Sequence, residues 1–373
     1  MNLKKIKLEK VVLFTIKIGL IAIFFTDALT KYILSYIDHD LLILPNRILK
    51  ILMIISTLVI IVGYFKSFYK IAIKIYALLL LLLSSALVNY IFFDLTFEYF
   101  VKYSYFFFIA PLFFIKIDNI TWEREVVNTL KYLLYINFFF VIIGLLIDLQ
   151  LFKTYFYRFG YNGLLITPMQ TTYFYISSII IAIKSKQKTF LILGFISALL
   201  AGTKTLLGFL VFLLLYLIIY KRRHTKFIIA LIIVTLFTFS VFLQQKFFIN
   251  NLDNNGLMYV LTSSRSDSLI SFFNNLPTTN FNIITGGVNL SENRVEMEII
   301  DVLMHFGLLG CIVYYYLFRQ LYIVFVKEKL GVFFFFIILF FAVIAGNFLY
   351  YPINCFMLLV SLKTLQSRSI QHT

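Results

Sequence analysis

The sequence predicts an all-α polytopic membrane protein with about 12 transmembrane helices and one large external loop. Three observations carry this reading. Hydrophobic residues make up 61% of the 373 positions, charged residues only 13%, and there are 45 Phe. An average soluble domain is roughly 45–50% apolar, and a soluble chain of this length has too much surface to hide such an excess. The apolar residues also fall in unbroken runs, such as 71–93 and 332–345. A membrane barrel would instead show ~10-residue segments of alternating hydrophobicity. The third observation is the placement of the basic residues. A soluble globular enzyme is excluded, and so is a collagen-like or disordered chain, because Gly numbers 15 and Pro 5.

Hydropathy places spans near 11–30, 48–65, 71–93, 97–117, 130–149, 166–184, 189–203, 204–220, 226–244, 297–318, 331–347 and 350–363. At about 20 residues per span, little remains beyond loops and tails, so 1–373 reads as a single integral membrane domain. With the N-terminus inside and the spans alternating, 22 of the 33 Lys and Arg fall on inner segments and 8 on outer ones. The inner groups include Lys4, Lys5, Lys7 and Lys10, then Lys184, Lys186 and Lys188, then Lys221, Arg222, Arg223 and Lys226. Basic residues mark the cytoplasmic face, so both termini are expected there. The net charge of +16 is then a topology signal, and no nucleic-acid partner is expected. The basic N-terminal stretch and its apolar run look like a signal peptide. No small-residue cleavage site follows, so the segment reads as a retained first helix.

The connecting segments differ in length. Residues 31–47 mix Tyr32, Tyr36 and Leu41–Leu44 with Asp38, His39 and Asp40, a composition suited to the outer interface. Residues 150–165 make a moderate outer loop, and 245–296 make the large extracytoplasmic one. The large loop is polar but keeps Leu261, Leu269, Phe272 and Phe273, so it is expected to fold in part against the membrane surface. No matching segments recur between the two halves, which weighs against a transporter built from inverted repeats. Cys311 and Cys355 lie in spans without metal-ligand spacing. No pair among the four His has helical spacing, so no metal is expected.

Charges within or at the ends of spans are costly and draw attention. Lys17 reads as a snorkelling or locally paired lysine, and Glu98 with Lys102 as an i,i+4 pair on one helix face. Asp27, Asp94 and Asp148 sit at outer span ends, where simple solvation accounts for them.

Three segments invite a chemical reading. Tyr157-Arg158-Phe159-Gly160-Tyr161-Asn162-Gly163, followed by Thr167-Pro168-Met169, sets an Arg among aromatics and glycines. It can bind an anion bidentately, or it is an interfacial Arg in an aromatic belt. Ala201-Gly202-Thr203-Lys204-Thr205 puts a compact cation at an outer turn. That cation suits a phosphate, or it is a turn lysine, and the spacing is not that of a P-loop. The third segment starts at Ser263-Ser264-Arg265 and passes Gly286-Gly287 and Arg294. It ends in Val295-Glu296-Met297-Glu298, Asp301 and His305, with Glu298, Asp301 and His305 on one helix face. An acidic helix start stabilised by the dipole accounts for Glu296 and Glu298 but less well for Asp301. Cations and acids gathered at one lipid-facing side suit a lipid-linked diphosphate substrate. Cations would hold the diphosphate, and a carboxylate would accept a hydroxyl proton.

In these motifs the chain resembles the bacterial repeat-unit polymerases of O-antigen and capsular polysaccharide, the Wzy-type proteins of the O-antigen ligase-like superfamily. The family's Arg-x-x-Gly segment with a following Pro step is similar to Arg158–Pro168, and its small-residue, Ser/Thr, Arg/Lys run to Gly202–Thr205. Its loop Arg after small residues is similar to Ser263-Ser264-Arg265. Its Val-Glu-Met-acid, Asp, Gly-x-x-Gly helix is similar to Val295–Glu298, Asp301, Gly307 and Gly310. Related ligases carry a His eleven residues before the Gly-x-x-Gly, where this chain has Glu296. That departure favours a polymerase over a ligase, and Glu296 over His305 as the base.

The resemblance implies a GT-C-like fold and an inverting glycosyl transfer without metal or other cofactor. The site would face away from the cytoplasm in a bacterial inner membrane. The donor would be a glycan on undecaprenyl diphosphate, and the acceptor another lipid-linked repeat unit. By resemblance Glu296 and Arg265 are the catalytic candidates, with Arg158 and Lys204 joining Arg265 on the diphosphate. Arg294, Glu298 and Asp301 are expected to complete the substrate-binding set. Membrane lipid and a chain-length regulator protein are the other expected partners. A ligase moving finished glycan, or a flippase of the same lipid, are the competing readings.

Overall fold

In a computed structural model of the chain, the residues described are 3–36, 44–93, 95, 97–155, 159–220, 225–275, 281–290, 294–346 and 348–366. Every regular element among them is a helix. The β pairings among them are isolated bridges, Lys153 with Tyr161 and Asn282 with Gly286. The chain runs through α1 (Leu3–Tyr36), α2 (Leu44–Gly63), α3 (Phe65–Phe93), α4 (Glu98–Phe113) and α5 (Asn119–Trp122). A π-helical turn, Glu123–Val127, joins α5 to α6 (Asn128–Ile147). There follow α7 (Pro168–Lys184), α8 (Lys188–Leu200), α9 (Lys204–Tyr220), α10 (Thr225–Leu243), α11 (Lys246–Thr262) and α12 (Arg265–Asn275). The last three are α13 (Glu298–Phe325), α14 (Lys329–Ala345) and α15 (Pro352–Gln366).

A helix stands at each of the twelve expected positions. Among the described residues four stretches are long and apolar enough by themselves to cross a bilayer: Ile6–Tyr36, Phe65–Phe93, Asn119–Ile147 and Glu298–Phe325. Shorter apolar helices include Ile48–Gly63, Lys204–Tyr220 and Lys329–Ile344. Their outer faces carry bare Val62, Ile91, Phe92, Leu146 and Phe237. An apolar surface so extensive belongs against lipid, not water, so the chain is a membrane-embedded helical protein. At 1.5 Å per residue α1 is about 51 Å long, well beyond the ~30 Å hydrocarbon layer.

The helices at the centre are the polar ones. In α7 every residue from Gln170 to Ile183 is buried, including Thr171, Thr172, Ser177 and Ser178. In α15 burial runs from Pro352 to Leu365 and takes in Asn354, Ser361 and Lys363. Threonine hydroxyls in these helices bond back to their own helix, as Thr171 does to Thr167 O (2.8 Å), Thr172 to Pro168 O (2.8 Å) and Thr364 to Val360 O (2.8 Å). Surrounding such helices with protein keeps their polar atoms from lipid.

Polar contacts tie the elements together. Lys17 of α1 bonds Glu125 of the π-helical turn at 2.9 Å, while Glu98 and Lys102 pair within α4 at 2.6 Å. Asp27 differs from the simple solvation expected of it: it is buried, and Gln170 Nε2 donates to it at 3.0 Å. One turn on, buried Lys31 donates to Asn162 Oδ1 (2.5 Å) and Gly163 O (2.7 Å). Asp27 and Lys31 thus anchor the start of α7 and the loop before it to α1. Asp148 is exposed and accepts from Lys153 and Tyr161. Burial, and then that bond to Asp148, push the Tyr161 phenol up to about 12, so it stays a neutral donor. Asp94 lies outside the described residues, as do 37–43, the middle of the expected interfacial segment.

The large loop contains α11, α12 and a strap, 281–290, that reaches α13 where that helix breaks at Gly307. A Cβ at Gly286 would overlap the His305 backbone, and one at Gly307 would overlap Ile284 and Thr285. The two glycines let strap and helix touch backbone to backbone. Gly286→Ala is therefore expected to lower the thermal unfolding midpoint of the detergent-solubilised protein by several degrees. Gly63→Ala should leave it unchanged, because a Cβ there meets nothing within 4 Å.

Candidate functional site

Two helices begin at one cavity. Thr167 caps α7: its hydroxyl accepts from Gln170 N (3.2 Å), while Gln170 Oε1 accepts from Thr167 N (3.1 Å), and Pro168 opens the helix. This reciprocal box satisfies two of the orphan donors of the first turn. Thr203 does similar work for α9, accepting from Leu206 N at 3.3 Å, and its hydroxyl meets that of Thr172 at 3.2 Å. Thr167, Pro168, Met169, Thr203, Lys204 and Thr205 all line a cavity of about 360 Å³. Both helix dipoles therefore place positive potential at its wall.

The opposite wall comes from the large loop. Lys204 Nζ donates to Val260 O and to Ser263 Oγ (3.1 Å), across from α9 to the α11–α12 corner. Ser263 and Ser264 at that corner both hold positive φ, 55° and 66°. The corner ends in Arg265, which lines the cavity and donates from Nη2 to Glu296 Oε2 at 2.9 Å. The Arg265 side chain is 11% exposed and that of Glu296 48%. Lys204, Arg265 and Glu296, named from sequence, thus stand in one cavity.

Glu296 is held in a strained conformation. Its φ is +61°, a left-handed value costly for a side chain larger than Gly. Two contacts impose it. Gly346, with φ 58°, passes so close that a Cβ there would overlap the Glu296 carbonyl. Asp301 Oδ1 accepts from Val295 N at 3.1 Å, fixing the turn from the other side.

The remaining expected site residues form the supports of this turn. Asp301 is wholly buried and pairs through Oδ2 with Arg294 Nε at 3.4 Å. The Arg294 guanidinium lies over the Tyr350 ring at 4.0 Å. Lys102 takes the same ring at 4.4 Å and donates to its hydroxyl. Glu298, 3% exposed, accepts from Phe348 N at 2.5 Å and so clamps the α14–α15 turn. None of Arg294, Glu298 and Asp301 is among the residues lining the polar cavity. His305 also lies apart, its Nδ1 3.1 Å from Val288 O. Arg158 lies outside the described residues, although Tyr155 lines the cavity. Among the described residues no group of three His, Cys, Asp or Glu gathers as a metal site would require.

On the other side of the Glu296–Glu298 turn, a second cavity of about 300 Å³ opens between α13 and α14. Val302, Tyr314, Phe318, Leu339 and Phe348 make it almost wholly apolar.

Tyr351, Ile344 and Thr172 line the polar cavity without any sequence signal that marked them. Gln170 had one: Thr-Pro-x-Gln is a capping-box pattern. No protein-family profile matches the chain, and no curated protein sequence does.

Asp301→Leu would strand a buried guanidinium and leave Val295 N–H without its acceptor. It should cost about 3–5 kcal/mol of stability, read as a lower unfolding temperature in detergent. Asp301→Asn retains an acceptor and should cost less.

Proposed function

We propose that the protein is a glycosyltransferase that polymerises lipid diphosphate-linked oligosaccharide repeat units, as its resemblance to the Wzy-type polymerases implies. The observation that carries this is the meeting of Lys204, Arg265 and Glu296 with two helix N-termini in one cavity. A diphosphate needs several positive groups. Here two cations and two dipoles supply them, with one accessible carboxylate beside them.

In this reading the donor's diphosphate sits on Lys204 and Arg265. It displaces Glu296 from its ion pair and leaves that carboxylate free to act as a base. The acceptor hydroxyl attacks the anomeric carbon on the face opposite the diphosphate. The new C–O bond forms as the bond to the diphosphate oxygen breaks with its electron pair, and the hydroxyl proton passes to Glu296. Lys204 and Arg265 stabilise the charge developing on the leaving group. The apolar cavity between α13 and α14 offers a neighbouring place for the lipid's hydrocarbon.

The twelve-span, GT-C-like arrangement with both termini in the cytoplasm belongs to the same proposal. So does a bacterial inner-membrane setting with the site facing outward. The 22-to-8 bias of basic residues supports the orientation. A chain-length regulator would act on the same external face.

The test is purified protein given synthetic undecaprenyl-diphosphate repeat unit, without metal or nucleotide, with products resolved on a gel. A ladder of multiples is expected. Glu296→Gln should reduce it by about 10²–10⁴-fold, and full activity in that variant would contradict the base assignment. Lipid moved across liposomes unchanged would replace the enzyme reading with a transporter. Separately, inorganic diphosphate should raise the unfolding temperature. Lys204→Gln and Arg265→Gln should each weaken that binding by roughly 10–100-fold, the usual loss of a charged hydrogen bond.

A further inference from the structure

Most backbone polar groups of the strap in the large loop bond to protein. Asn282 and Gly286 exchange both backbone hydrogen bonds at 2.6 Å. Asn282 Oδ1 accepts from Ile284 N (2.8 Å) and Thr285 N (3.3 Å). Ile283 O and Ile284 O accept from Leu308 N (2.8 Å) and Leu309 N (3.1 Å), donors freed by the break in α13 at Gly307. Gly287 N and Val288 N donate to His305 O and Met304 O. Thr285 O accepts from Ser85 Oγ (2.9 Å) and Asn89 Nδ2 (2.8 Å) of α3. Asn89 also donates to His305 O.

These contacts give the depth of the strap twice over. Its Thr285 meets α3 four to eight residues before that helix ends, about 6–12 Å along the axis at 1.5 Å per residue. On α13 the break lies nine residues from the helix start, about 13 Å by the same rise. Both helices are about 42 Å long against a hydrocarbon layer of ~30 Å. Each therefore overhangs by about 6 Å at either end if centred. The strap tip then lies at or below the hydrocarbon boundary.

The side chains agree with that depth. Residues 281–290 contain no charge. Ile283 and Ile284 are 60% and 57% exposed, next to exposed Leu308 and Ile312 on membrane-spanning α13. Non-helical backbone survives at membrane depth only when protein satisfies its polar groups, and most of the strap's are so satisfied. We infer that residues 282–288 form a re-entrant strap whose Ile283 and Ile284 contact lipid acyl chains, continuing the lipid-facing surface of α13. The inference is independent of the proposed enzymatic activity.

The test uses the full chain in phosphatidylcholine liposomes. Cys311 and Cys355 are replaced by Ala, and Ile284→Cys carries a polarity-sensitive fluorophore. Ile283→Cys is a second site should the first label disturb folding, and Asp253→Cys on α11 is the aqueous control. At 283 or 284 the emission should be blue-shifted relative to 253, quenched by doxyl-labelled lipid and insensitive to aqueous iodide. Water-like emission quenched by iodide would overturn the inference and mark the face as open to a soluble partner. Insensitivity to both quenchers would overturn it as well, by showing the strap covered by protein.

Discussion

The site depends on one backbone crossing. Gly346 passes the carbonyl of Glu296 with no room for a Cβ, and Glu296 is thereby kept at a positive φ that few side chains tolerate. The crossing persists because both strands of it are tied down. Asp301 and Arg294 hold the turn before α13, and Glu298 holds the turn after α14 through Phe348 N. Two carboxylates buried at a membrane helix start would be costly if they were idle. Here each accepts from backbone N–H groups and thereby presents a third, Glu296, at the cavity. The division of labour is between acids that shape and one acid that is accessible.

The same economy runs through the outer end of the bundle. Asp27 and Lys31 on α1 meet Gln170, Asn162 and Gly163, so α7 starts where its N-terminal donors face the cavity. Lys204 links α9 to the α11–α12 corner and so joins the bundle to the large loop. The broken α13 is completed by the strap from that loop and by Ser85 and Asn89 of α3. Several polar groups that the apolar shell could not solvate have become joints between distant segments. Such pairs are separated by as many as 248 positions along the chain, as between Lys102 and Tyr350.

Much of this was legible in the sequence, for identifiable reasons. Apolar runs of span length locate helices because lipid leaves the backbone no alternative, and helices stand at all twelve positions. Lys204, Arg265 and Glu296 stood out because charges close to lipid are rare. What the sequence concealed depends on contacts between remote segments. Asp27 looks like a solvated helix end until Gln170, 143 residues away, is seen to cover it. The contacts by which Arg294, Glu298 and Asp301 hold their turns carry no sequence signal, because residue type does not say which backbone a charge will meet. Helices α11 and α12 escape a hydropathy reading because their polar residues mask short apolar faces. Gly346 carries no local signal, since its role is set by a neighbour outside its own helix.

We propose that a lipid-linked diphosphate reacts in the cavity of Lys204, Arg265 and Glu296. The most direct measurement is a cryo-EM map of the protein in a nanodisc with an undecaprenyl-diphosphate saccharide bound. Diphosphate density is expected between the Lys204 ammonium and the Arg265 guanidinium, with Glu296 released from Arg265 and facing the saccharide. Headgroup density elsewhere, with the Arg265–Glu296 pair intact at 2.9 Å, would contradict it.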